Sequence, residues 1–226
     1  MNSENLLNIL KKAINDSLYI FFQPQLLNFL ETNINNNLLL NYEKNFLVEC
    51  RTFYHSSKLI FELIESGKID INTEVGKMII YPILRRLYEV FFNQEYIFHG
   101  KKKIKKRYNS FCLHVKKEYK TLYNNLKKYS YNEITKLPVL KENINDNYPS
   151  LAERLRLLKN DNGYDLLPYY NPYKIMCFYT HGTINQFLIN DLFNTNDFLG
   201  IKDVKELLGF IANGYLIILT DKFNYK

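Results

Sequence analysis

The sequence predicts an all-α protein, an up-and-down helical bundle with additional helices at its N- and C-terminal ends. Three observations support this. Apolar residues recur at steps of three and four along most of the chain, which places them on single helical faces. Helix-ending residues separate the periodic stretches, among them Pro24, the Asn-rich run at Asn33–Asn37 and Gly67. No convincing alternating pattern of the kind that marks strands occurs.

Taken in order, a first amphipathic helix is expected over about residues 3–22, stopped near Pro24. A short second helix follows and breaks at Asn33–Asn37. A long third helix runs from about Glu43 to Ser66, with Phe46, Cys50, Phe53, Ile60 and Ile64 inward and Gly67 as its C-terminal stop. The fourth runs from about Thr73 to Phe98 and carries Pro82, which predicts a kink or a broken first half. The fifth has the clearest stripe in the chain: Ile104, Tyr108, Phe111, Val115, Tyr119, Leu122 and Leu126. Ser130–Asn147 reads as a long loop, and a shorter helix then starts at Pro149. Asn171 and Pro172 open the next helix, and a last one begins near Asp203, with Tyr215–Leu219 as its end rather than a strand. The organisation is a single domain over 1–226, with N-terminal helices at 3–33, a core at 43–194 and a C-terminal helix at 203–220.

The 226 residues are 46% hydrophobic, enough to bury a core, and include 19 Tyr and 16 Phe but no Trp. Cys50, Cys112 and Cys177 are scattered, odd in number and free of any CxxC pair, so neither a disulfide framework nor a zinc site is expected. The N-terminus lacks the pattern of a secretion signal, and no apolar run reaches the ~20 residues that span a bilayer. A cytoplasmic protein without membrane attachment is expected. There is no HExxH, Gly-rich phosphate loop or GxSxG, and no metal site or cofactor is expected.

The formal net charge is +7. Its densest source is KKKIKKR, with Lys101, Lys102, Lys103, Lys105, Lys106 and Arg107. Lysines on a helix can neutralise phosphates without reading sequence, so this run is the candidate nucleic-acid surface. The same run also reads as a solvated face opposite the Tyr108 and Phe111 stripe. In IIYPILRRLYEVFF, Arg85 and Glu89 are four apart, close enough to pair on one helix face among apolar neighbours. They read either as an ion pair fixing helix register or as the lining of a polar pocket. His181 and Gly182 interrupt CFYTHGTINQF, where the glycine permits close approach of another helix or a ligand. Arg51 and His55 form a minor pair of the same kind.

The order LRRLYE, basic helix, SLAERLRLL and YYNPYKIMCFYTHG resembles a bacterial family of domains of unknown function. Its members carry an R-x-x-x-E helix and a later Y-x-x-x-S-x-x-x-H-G/P helix. The resemblance covers roughly Glu49–Phe193: Arg85 and Glu89 match the first motif, His181 and Gly182 the second, and Cys177 stands at the usual Ser. The HG helix end is also similar to the HEPN group of helical nucleotide-binding and RNase domains, many of them in toxins and phage-defence systems. In that group an Arg-Asn-x-x-x-His motif holds the scissile phosphate and moves the proton, without metal. Here Met176 and Cys177 occupy the Arg and Asn positions; Lys174 is the nearest cation on that helix, and Arg85 is the substitute from the neighbouring one. The resemblance implies a HEPN-like binding or regulatory component of a defence or toxin–antitoxin system. Its alternative is a metal-independent endoribonuclease using His181, Arg85 and Glu89. The implied partners are RNA or a nucleotide, and a second copy or a cognate protein.

Overall fold

The computed structural model describes residues 12, 16–99, 103–128, 138–140, 143–162, 166, 168, 170–180 and 204–225. The described residues are mostly helical with no strand among them, and the fold is all-α, as the periodicity predicts. The described part of α1 covers residues 16–21; then come α2 (Pro24–Ile34), α3 (Asn41–Glu65), α4 (Glu74–Phe98) and α5 (Ile104–Lys128). They are followed by α6 (Leu151–Asn162), α7 (Tyr170–Thr180) and α8 (Val204–Phe223). The expected start of the first helix, residues 3–11, lies outside the described residues.

Local chemistry sets the boundaries. Pro24 opens α2, where its missing N–H has no intrahelical partner to lose. Glu43 accepts the Leu40 N–H at 2.8 Å across the first turn of α3. Gly67, at φ +68°, follows α3 in the left-handed region that ends helices, and its N–H reaches the Ile64 carbonyl at 3.0 Å. Thr73 caps α4 by accepting the Gly76 N–H at 3.0 Å, and the helix then runs unbroken through Pro82. Ser150, rather than Pro149, caps α6 by accepting the Glu153 N–H at 3.3 Å. Tyr215–Leu219 continue α8 to Phe223.

Helix α4 is the hub, with α3, α5, α6, α7 and α8 packed around it and α2 lying on α3. Its second half is buried on every side, from Val90 to Phe98, the pattern of a helix surrounded by neighbours. Rings make much of the core. Tyr215 of α8 lies 5.4 Å from Phe53, 5.6 Å from Phe91 and 5.7 Å from Phe46 between ring centroids. Phe46, Cys50, Phe53 and Ile60 are inward as expected, with Ile64 half-buried. No helix among the described residues is long and apolar enough to cross a membrane.

The α5 stripe is the main departure. Ile104, Tyr108 and Phe111 pack against the core, but Val115 is 49% and Leu122 54% exposed. The only side chain of α5 buried outright is the cation Arg107. It donates to the carbonyl oxygens of Tyr96, at 2.7 Å, and His99, and its guanidinium lies 4.5 Å from the Tyr96 ring centroid. Arg107 thus satisfies carbonyls at the C-terminal end of α4, which no helical N–H can reach.

Candidate functional site

Arg85 and Glu89 lie where α4 meets α7 and α6. Their spacing predicts an ion pair along one helix, yet no such pair forms. The Arg85 guanidinium turns to α7, where Nη1 donates to Thr180 Oγ1 at 2.9 Å. The Thr180 hydroxyl in turn donates to the Cys177 carbonyl at 3.0 Å, one turn back. The Tyr173 phenol also lies close enough to Arg85 to favour its charged form. A cross-helix acceptor therefore uses a donor that Glu89 was expected to take, while Arg85 Nε is buried without a hydrogen-bond partner.

The electrostatics follow from this. Burial lowers the Arg85 pKa, but the Tyr173 phenol, with Cys177 and Glu89 nearby, raises it overall and secures the charged form. Burial pushes the Tyr173 phenol up to about 12, aided by Glu89 and Cys177 and opposed by Arg85. Glu89 is half-buried and acts on both Tyr173 and Arg154 through space.

Arg154 of α6 completes the seam. It is 6% exposed, donates to the Pro149 carbonyl at 3.1 Å and lies 4.7 Å from the Tyr148 ring centroid. Burial lowers its pKa, and its Nε has no hydrogen-bond partner. The seam is thus two arginines on facing helices, each with a spare N–H, a carboxylate between their fields, and a phenol and hydroxyl from α7.

His181 and Gly182 lie outside the described residues; Thr180, which holds Arg85, immediately precedes His181 in the chain. Lys174 lies with Nζ 4.9 Å from the Tyr170 ring centroid. His55 is exposed, edge-on to Tyr54, and forms no site with Arg51 among the described contacts. Tyr173, Thr180 and Arg154 are absent from the sequence-based site. Arg154 had a signal, sitting between Leu151, Leu155 and Leu158 at the spacing of an inward face.

Of the basic run, Lys103 just before α5 and Lys105 and Lys106 on it are exposed, while Lys101 and Lys102 lie outside the described residues. Arg107 is corrected: an inward structural residue, it offers no charge to a ligand at the surface. Further along α5, His114 Nδ1 lies 2.9 Å from Asp146 Oδ2, with Lys117 Nζ at 3.5 Å. Asp146 Oδ1 accepts the Tyr148 N–H at 2.9 Å, so this cluster pins the segment before α6 onto α5. Burial works against ionisation of Asp146, but the His114 and Tyr148 hydrogen bonds hold its pKa below the usual carboxylate value. No group of three or more His, Cys, Asp or Glu among the described residues has metal-binding geometry.

No curated protein and no solved structure matches the chain. A family model described as a family of unknown function, DUF5677, matches residues 46–198. That stretch begins in α3, takes in α4 to α7, and so contains Arg85, Glu89, Arg154, Tyr173 and Thr180. Since the match spans more than half of its length, the chain belongs to the DUF5677 family.

Proposed function

We propose that this chain is a HEPN-like helical binding or regulatory protein of a bacterial defence or toxin–antitoxin system, with the α4–α7 seam as its ligand site. The ligand class is RNA or a nucleotide, held by phosphate. The observation that carries this reading is Arg85: its guanidinium makes no ion pair with a described carboxylate, is held in place by Thr180, and keeps a spare Nε–H. A fixed guanidinium held in its charged form suits a phosphate oxygen. Lys105 and Lys106 add exposed charge on α5, with no sequence reading required of them.

The test is retention of labelled RNA by the full chain. Arg85→Ala should weaken binding by about tenfold or more, the loss of one charge-assisted contact. Changing Lys105 and Lys106 together to Glu should lower both affinity and its salt dependence. Retention by the Arg85→Ala protein equal to that of the unaltered chain refutes the seam as the site.

A second reading, a metal-independent endoribonuclease, is favoured by one contact: Arg85 bonds the residue immediately before His181. In that reaction Arg85 would neutralise the scissile phosphate and His181 would move the proton, with Glu89 acting on the surrounding charges. Cleavage of RNA in EDTA by the unaltered chain, abolished in His181→Ala, would establish it. Cleavage undiminished in His181→Ala would end it.

A further inference from the structure

A second cleft, of about 380 Å³, opens between α3 and α4 with Tyr215 of α8 at its floor. Its walls are mostly apolar, formed by Phe53, Pro82, Ile83, Leu87 and Val90. This volume lies at the small end of ligand sites, suited to one or two rings. Tyr215 is 1% exposed and is the one residue of α8 in the cleft lining. Glu49 on α3 and Arg86 on α4 line the cleft from its two walls. They influence one another electrostatically but form no ion pair among the described contacts. The cleft therefore presents an acceptor and a donor that do not satisfy each other, near-zero net charge and a phenol among its lining side chains.

We propose that this cleft binds a small, flat, uncharged molecule whose apolar ring carries a neighbouring hydrogen-bond donor and acceptor, the chemistry of an aromatic amide or the edge of a heterocyclic base. The ring fills the space between Phe53, Ile83, Leu87 and Val90. The head donates to Glu49, accepts from Arg86, and meets the Tyr215 hydroxyl. A cationic head would face Arg86 and an anionic head Glu49, so each loses one partner to repulsion. The cleft is distinct from the α4–α7 seam: Arg86 serves this groove while the adjacent Arg85 serves the other.

The experiment compares four molecules of similar shape, benzamide, benzamidine, benzoate and toluene, against the methyl-labelled full chain by NMR. Benzamide should move the Ile83, Leu87 and Val90 methyl signals saturably, with binding at least fivefold tighter than for the two charged analogues and for toluene. Ser56→Phe, placed in the cleft lining, should abolish those shifts, and Tyr215→Phe should weaken binding at least threefold while preserving ring packing. Absence of benzamide shifts would overturn the proposal. Equal binding of toluene, or undiminished binding in both variants, would overturn it as well.

Discussion

Glu95 lies in the middle of the buried half of α4 and is 4% exposed. Burial alone pushes its pKa up to about 8 from an ordinary value of 4.5. Folding therefore requires a proton that the unfolded chain gives up above pH 4.5. Below pH 4.5 both states hold it and there is no cost. Between pH 4.5 and 8 the folded state binds more protons, so stability falls as pH rises; above pH 8 both states are ionised and the loss is complete. At pH 7 the difference from 8 leaves about 2.5 of the 3.5 pH units spent, or roughly 3 kcal/mol at 1.4 kcal/mol per unit. Glu95→Gln keeps the shape of the protonated acid and removes the titration. Urea denaturation of both proteins at pH 4.5, 7 and 8.5 should show near-equal stability at the lowest pH. The variant should lead by about 3 kcal/mol at pH 7 and by more at pH 8.5. For a chain of this length that lead at pH 7 raises Tm by about 6–12 °C. A stability difference that stays constant across this range would refute the reasoning, because it would mean that Glu95 binds no extra proton on folding.

Three further predictions concern a close contact, a buried cation and the exposed lysines. Gly214→Ala should destabilise by about 1–3 kcal/mol, against the usual gain from alanine inside a helix. A Cβ there would lie 2.6 Å from Phe91 Cζ and 2.8 Å from Glu95 Oε1; a thermal melt showing stabilisation would contradict this close fit. Arg107→Ala should cost about 2–4 kcal/mol, since it removes the donor to the buried Tyr96 carbonyl and the half-buried His99 carbonyl. The Lys105 and Lys106 double change to Glu should stay within about 0.5 kcal/mol of the unaltered protein, because both side chains are exposed. Equal stability of the Arg107→Ala and unaltered proteins in urea would return Arg107 to the surface set.

Much of the fold was legible in one dimension because its causes are local. A repeat of three and four puts Phe46, Cys50, Phe53 and Ile60 on one face whatever that face meets. Gly67 ends α3 because its φ of +68° costs a glycine little. Thr73 begins α4 through a hydrogen bond to Gly76, three residues on. Periodicity says which residues share a face, but it is silent on how far a partner helix extends along it. The α5 stripe therefore reads as core over its whole length, while only its first part meets α4. The same limit applies to charge. Arg85 and Glu89 are neighbours along α4, and only the docking of α7 gives Arg85 a better acceptor in Thr180. Arg107 belongs to a run of cations in sequence; the end of α4 decides that it turns inward. Local propensity thus determined the helices and their order. The partner of each polar side chain, and the unusual state of Glu95, came from which helices surround α4 and how much water they exclude.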